Sequence, residues 1–364
     1  MSKKLTTDAD LTAVANAIRT KGGTSTLLEY PNDFISAIDA IETDSSYDVE
    51  DAIITRTISE AYENSRITDI GRYAFAYCSN LTTASFSICT SIDNYAFDYC
   101  SNLTTANFPV CTSMGHHVFE FCSRLTTASF PVCEIIGADA FSNCSNLTTA
   151  SFPVCTSIGA YAFNFCSKLT TISFPECTNM GSYAFANCGS LTIASFPKCT
   201  SVGSGAFVNC YRLTTASFPV CTNINISAFS NCSRLTTISF PECTSIGSDA
   251  FINCSNLTIA NFPVCRTINP SAFANCGSLT TARFPKCVTI SFTAFNKCYN
   301  LISLYLTGSS YVTLANSAAF SSTPIGGYSE SAGQYGTIYV LTSMLTSYKK
   351  RANWAYFSSR MVGI

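Results

Sequence analysis

Residues 147–168 read LTTASFPVCTSIGAYAFNFCSK, and the next 22 residues, 169–190, read LTTISFPECTNMGSYAFANCGS. The two stretches align column by column without a gap, and the same register extends in both directions. Cysteine shows the period best. One ladder runs from Cys78 through Cys100, Cys122 and Cys144 to Cys298, and a second from Cys89 through Cys111 and Cys133 to Cys287. Each has a step of 22 residues, the two are offset by 11, and together they hold all 21 cysteines of the 364-residue chain. Repetition at such a period means a solenoid, because one unit cannot bury its apolar face without its neighbours.

Each column has a physical task. The Leu column (Leu81, Leu103, Leu125) is followed three residues later by Ala or Ile and five later by Phe (Phe86, Phe108, Phe130). The last two alternate as on a strand with one buried face. Pro follows that Phe in nine of ten units, Pro109 to Pro285. Proline lacks a donor and should end the strand there. After an Ile/Met/Val column comes one of Gly, Asp or Asn, as at Gly71, Asp93, Gly115, Gly137, Asn225 and Asn269. These residues tolerate positive φ, so the column predicts a left-handed turn. The Ala-Phe-x-x-Cys stretch that follows has the i, i+3 spacing of a single helical turn packed inward.

The run AFNFCSKLTTISFP, residues 162–175, resembles the BspA-like class of leucine-rich repeats. The resemblance covers residues 66–306, about 11 repeats, and implies an α/β solenoid with a parallel β-sheet on its concave face. The second cysteine ladder departs from the family, which more often places an aliphatic residue there. At about 4.8 Å per unit the array would be a rod on the order of 50 Å long.

Both ends leave the period. Residues 1–44 predict two amphipathic helices, with apolar positions at 11, 14, 15 and 18 and again at 34, 35, 38 and 41. The stretch LTAVANAIRTKGGTSTLLEYPNDFISAIDAI resembles a short helical module of phage tail-associated and prophage-encoded proteins of Gram-positive gut bacteria, and also suits a helical hairpin capping the solenoid. Residues 45–65 read as a linker and first-strand cap. Residues 307–364 read as a C-terminal cap, with Ile338–Val340 as a last strand, residues 341–350 as a short helix, and Trp354 and Phe357 covering the final repeat. The start, MSKKLTTDADLT, lacks the apolar stretch of a Sec signal.

Composition narrows the function. Only 12 % of residues are charged, with 20 Lys+Arg against 22 Asp+Glu, where roughly 25 % is usual. The balance suggests no nucleic-acid partner, and no apolar run is long enough for membrane insertion. His116 and His117, the two histidines, are adjacent in one variable turn and read as solvated, with no third histidine to complete a metal site. An 11-residue cysteine spacing supplies no CxxC pair, so the thiols read as free, buried core fillers. Metal, cofactor and catalytic residues are all expected to be none. The Asn-Leu-Thr matches at Asn80, Asn102, Asn146 and Asn256 follow from the repeat consensus.

Two surfaces remain as binding candidates. The outward strand residues, Thr83, Ser85, Thr105 and Asn107 on to Arg283 and Tyr305, form a neutral hydroxyl face. The columns flanking the Ala-Phe turn carry rings, namely Tyr73, Tyr77, Tyr95, Tyr99, His117, Phe121, Tyr161, Phe165 and Tyr183. Taken as i, i+4 pairs they predict an aromatic stripe that fades along the rod. The expected function is non-enzymatic recognition or virion structure: a phage or prophage tail-associated protein, in the virion or released on lysis, whose repeats contact a protein or glycan on a bacterial surface, or another virion protein. A cell-surface adhesin is the alternative, and a Thr/Ser-ladder ice-binding protein a minor one.

Overall fold

The computed structural model describes residues 60–64, 67–327 and 330–364. The helical module expected at 1–44 lies outside the described residues, as does the 45–65 linker apart from Glu60–Asn64. Each 22-residue unit makes one turn of a solenoid with two kinds of strand. The two-residue strands form a continuous 12-stranded parallel sheet from Asp69–Ile70 to Thr313–Leu314. Its register advances one unit per strand, Ile70 pairing with Ile92 and Met114 with Ile136. The strands of the Thr-Ala-Ser column are also parallel, with Thr83 opposite Thr105 and Ser85 opposite Asn107.

Proline sets where these longer strands stop. Before Pro153 the strand is Thr149–Ser151, and its Phe152 lies outside it. Where Ser87 replaces proline the strand extends through its Phe, Leu81–Phe86, and before Thr307 it reaches Leu306. The missing donor and the restricted residue before proline account for the shorter strands.

Two phenylalanine ladders fill the core. Within a ladder successive rings stack, as Phe141 on Phe163 at 5.1 Å and Phe152 on Phe174 at 5.3 Å. Between ladders they meet edge to face, as Phe141 and Phe152 at 5.9 Å and 69°. Both arrangements suit the ring quadrupole.

The Thr-Ala-Ser face breaks into sheets of six, three and five strands. The breaks follow Thr171–Ser173 and Thr237–Ser239, the two strands whose central inward residue is Ile in place of Ala. Ile172 and Ile238 are half-buried where Ala150 and Ala216 are fully buried. The ring ladder opens at the same steps, to 6.0 Å between Phe174 and Phe196 and 6.1 Å between Phe240 and Phe262. A slot sized for a methyl group accepts isoleucine only by moving the strand outward.

All 21 cysteines are buried and free. They do more than fill space. In the first ladder each thiol from Cys100 onward donates to the carbonyl of a core Phe one turn back, as Cys166 Sγ to Phe141 O at 3.1 Å. That carbonyl also accepts the Cys144 N–H at 3.2 Å, so the thiol satisfies its second lone pair. In the second ladder the donation is local, as Cys155 Sγ to Ser157 O at 3.3 Å. An aliphatic residue would fill either position without making this bond.

The C-terminal segment prolongs the solenoid. Phe320 stacks on Phe295 at 5.6 Å, and Thr337–Val340 pairs in parallel with Ser303–Leu306. The strand series does not end at Ile338–Val340, because Met361–Gly363 pairs beyond it. Between these strands runs the helix Thr342–Lys350, the one α-helix among the described residues. Tyr348 and Trp354 close the core end: the Val312 N–H donates to Tyr348 Oη at 2.9 Å, and Trp354 Nε1 donates to Val312 O at 2.7 Å.

Two outcomes are expected. Replacing Ile172 and Ile238 by Ala should join the three sheets into one, seen in a crystal structure as ring spacings at both steps returning to the value of their neighbours. The thiols should make the fold alkali-sensitive. Burial pushes Cys155 and Cys221 up to about 11 and Cys210 and Cys276 up to about 12, whereas an unfolded thiol titrates near pH 8.5. Between those values the unfolded chain holds fewer protons, so this stabilisation is complete below the unfolded value and lost as pH rises through the folded ones. Circular dichroism should show unfolding in that window, and thiol titration at pH 8 should find the cysteines unreactive until denaturant is added.

Candidate functional site

The third side of each turn carries the Ala-Phe segment, and its backbone is not a helical turn. The residues two before and two after each Phe are left-handed in every unit, from Tyr73 (φ 61°) and Tyr77 (φ 63°) to Thr293 (φ 55°) and Lys297 (φ 58°). Their N–H groups, with that of the Phe between them, point along the rod. His117 N, Phe119 N and Phe121 N donate to Ala138 O, Ala140 O and Ser142 O of the next turn at 2.9, 2.7 and 3.0 Å. An α-helix would direct those donors along its own axis.

The left-handed turn predicted at Gly71, Asp93, Gly115, Gly137, Asn225 and Asn269 therefore falls two and six residues later. Glycine is favoured in that column for another reason. A Cβ on Gly137 would lie 2.1 Å from Gly115 O, and one on Gly203 would lie 2.3 Å from Gly181 O. Close approach of successive turns, rather than φ, excludes a side chain where glycines adjoin.

The predicted aromatic stripe resolves into two ladders, each on a left-handed column. On one, Tyr73 stacks on Tyr95 at 4.8 Å and Tyr95 on His117 at 4.5 Å; Asp139 interrupts, and Tyr161 then stacks on Tyr183 at 5.0 Å. Gly205 ends that run, since any Cβ there would strike the Tyr183 ring at 2.4 Å. On the other, Tyr77 stacks on Tyr99 at 5.1 Å and Tyr99 on Phe121 at 4.3 Å. Tyr77 is 65 % exposed and Phe165 51 %; Tyr73, Tyr99, Tyr161 and Tyr183 are also exposed, while Tyr95, His117 and Phe121 are half-buried.

Where rings give out on the second column, asparagines continue it as an amide ladder. Asn187, Asn209, Asn231, Asn253 and Asn275 each donate from Nδ2 to the Oδ1 of an Asn one turn back, at 2.7 to 3.0 Å. Asparagine is the residue that most readily accepts a left-handed backbone after glycine. Asn102 and Asn146, two of the Asn-Leu-Thr matches, also bond to the preceding turn, donating to Ser79 O and Ser123 O at 2.6 and 2.7 Å.

The strand face gathers its predicted residues in two places. Thr83, Ser85, Thr105 and Asn107 line a shallow concavity of about 490 Å³ with Thr127, Ser129 and Pro109, and Asn107 Nδ2 donates to Ser85 Oγ at 3.1 Å. Further along, the Arg283 guanidinium lies over the Tyr305 ring at 3.9 Å, and Tyr305 stacks on Tyr339 at 4.5 Å. These three occupy adjacent strands in register.

Of the two histidines, His117 departs from the solvated-turn reading. His116 is exposed, and its Nδ1 accepts the Ala138 N–H at 2.9 Å. His117 is half-buried beneath Tyr95, with Nδ1 2.5 Å from Glu120 Oε2. Asp139 joins them, the three side chains bringing ligand-type atoms within 4.8 Å of one another. Asp98 lies one unit before Glu120 in the same column. Burial pushes its carboxyl up to about 6, and burial likewise raises Glu120 and Asp139. Residue spacing alone obscures this group. With the period known, positions i, i+3 and i+22 become neighbours.

Among the described residues no helix is long and apolar enough to cross a membrane. A parallel β-solenoid built on a phase-locked Leu/Phe/Cys unit defines the leucine-rich repeat class. The profile of the BspA type leucine rich repeat region matches residues 55–148, 134–258 and 222–329, and the chain belongs to that family. Among solved structures it is similar to a leucine-rich repeat protein from Bacteroides ovatus, at 22 % identity and TM-score 0.45 over 72 % of this chain and 81 % of that one. A leucine rich cell surface protein from Faecalibacterium prausnitzii matches at 18 % identity and TM-score 0.34, over 84 % and 92 % of the two chains. The pneumococcal vaccine antigen PcpA matches at 14 % identity and TM-score 0.43, over 89 % of each chain. No curated protein matches the sequence.

The left-handed columns lead to a stability test. Asn209→Ala removes two ladder bonds and puts a residue in the left-handed region that tolerates it less well than asparagine, and is expected to cost about 2 kcal/mol. Asn209→Gly, which loses the same bonds without the strain, should cost less. Urea unfolding of the two variants separates the contributions.

Proposed function

We propose that this chain is a non-enzymatic recognition protein that binds a protein or glycan on a bacterial surface, or another virion protein, through the ring-bearing side of its solenoid. The supporting observation is the contrast within one column. Asn187 to Asn275 show that asparagine meets the backbone requirement and bonds from turn to turn. In the earlier turns Tyr77, Tyr99, Phe121 and Phe165 hold the same left-handed conformation, which costs a bulky residue on the order of 1 kcal/mol. Tyr77, Tyr99 and Phe165 leave much of their surface in water. Stacking offsets part of that cost, but folding does not require the rings to be there. Aromatic side chains are enriched where proteins meet partners, and stacked rings also suit sugar faces.

In the finer assignment the solenoid is carried on a phage or prophage tail, with residues 1–44 as the attachment module. That assignment rests on the sequence of those residues. A cell-surface adhesin would use the same rings and differ in what anchors it. Portal or tail genes beside this one, and immunogold label on virions, are expected under the first reading; label on intact cells favours the second.

Replacing Tyr73, Tyr77, Tyr95 and Tyr99 together by Ser is expected to weaken binding to whole Gram-positive gut bacteria, or to isolated virions, by about tenfold or more. The variant's far-UV circular dichroism should match that of the parent. Unchanged binding by a folded variant would remove the ring ladder from the interface.

A further inference from the structure

Residues 70–301 hold only 8 Asp/Glu; two of these, Glu120 and Asp139, gather at His117, and a third, Asp98, lies one turn before Glu120. The repeat sets the four in two columns staggered over three turns. Asp98 and Glu120 occupy one column in successive turns, and His117 and Asp139 occupy the column three residues earlier, also in successive turns. Asp98 is 5 % exposed, and its Oδ1 is buried without a hydrogen-bond partner. Glu120 is its column-mate one turn on, and Asp98 stands just outside the group formed by His117, Glu120 and Asp139, whose ligand atoms lie within 4.8 Å of one another. The ion pairs His117–Glu120 and Lys198–Glu176 bring no Lys or Arg to it. Ser142, directly below Glu120 in its column and 2 % exposed, donates its backbone N–H to Asp139 O at 3.0 Å.

We propose that Asp98, His117, Glu120 and Asp139 bind a divalent first-row transition-metal ion that clamps three successive turns of the solenoid. The donor set, one imidazole and three carboxylates, is of the borderline-to-hard kind that such ions take. Two ligands each about 2.1 Å from one ion sit roughly 3 to 3.5 Å apart. His117 Nδ1 and Glu120 Oε2 are hydrogen-bonded at 2.5 Å, and the widest of the three separations among His117, Glu120 and Asp139 is no more than 4.8 Å. An ion taking the proton's place spreads the first pair and draws in the third by side-chain rotation, releasing that proton to solvent. The ion also gives Asp98 Oδ1 the partner it lacks and offsets the charge of the carboxylates. Tyr95 stacked on the imidazole holds that ligand in orientation, as outer-shell partners of metal sites do.

The test titrates the full chain, kept reduced with a non-thiol reductant, with Zn²⁺ by calorimetry and follows thermal unfolding. Binding of one equivalent is expected, with a rise in Tm on the order of 5 °C at a hundredfold excess over Kd. His117→Phe keeps a ring on Tyr95 and removes the nitrogen ligand; Asp98→Asn keeps the shape and removes the charge. Each should weaken binding by about 10- to 100-fold, with Asp139→Asn as a further variant if either fails to fold, while Glu176→Gln, outside the group, should bind as the parent does. Co²⁺ reports the donor atoms: weak visible bands without intense sulfur-to-metal charge transfer support the oxygen and nitrogen set. The proposal is overturned if the parent takes up no Zn²⁺, if both variants bind like the parent, or if charge transfer places the ion on cysteine.

Discussion

Hydrogen bonds that cross a single 22-residue step hold every part of this molecule in place. On each of its sides a turn donates to, and accepts from, the turns before and after it, as Phe119 N to Ala140 O at 2.7 Å and Thr148 N to Thr126 O at 2.9 Å. The constraint is severe, because any residue that lengthens the step on one side must be absorbed on the others. An unbroken 22-residue spacing of both cysteine ladders and a sheet of 12 strands without interruption are its consequences. The two half-buried isoleucines, Ile172 and Ile238, show how little it tolerates: the extra carbons of Ile over Ala at one inward position part a sheet and widen the ring spacing.

The same constraint explains the chemistry of the columns. A column-mate lies one strand spacing away, so identical side chains either stack, bond or repel along the rod. Phenylalanine stacks, asparagine bonds amide to amide, and cysteine gives its proton to a backbone carbonyl that would otherwise use one lone pair. Like charges are poorly tolerated in such an array, which accounts for the scarcity of Asp, Glu, Lys and Arg between residues 70 and 301. Arg212 above Arg234 is one exception and Asp98 above Glu120 another. The latter occurs beside the histidine, where burial has raised all three carboxyls and left one oxygen without a partner.

Much of this was legible beforehand. The period, the strand ended by proline, the inward Ala and Phe, and the burial of all 21 cysteines follow from columns that repeat too regularly to mean anything else. The local conformation of the Ala-Phe segment was not. Its i, i+3 spacing suits a helical turn, and Gly or Asn two residues upstream suits a left-handed one; the structure instead puts the left-handed residues at tyrosine, histidine and phenylalanine. Single-residue preference loses there because the inter-turn bonds of Tyr95, His117 and their column-mates are available only in that conformation. The ring residues fall on two columns of one side of the rod, and their division into two ladders depends on that backbone.

By itself, then, the sequence determined the architecture: a solenoid with a 22-residue turn, its core columns and its neutral faces, because repetition makes each unit the environment of the next. Only the tertiary structure decided which side chains meet across turns. His117, Glu120 and Asp139 are up to 22 residues apart along the chain yet bring their ligand atoms within 4.8 Å of one another, with Asp98 one turn before Glu120 in its column. Their proximity is set by the exact superposition of three turns, a property of the stacked backbone rather than of any one repeat.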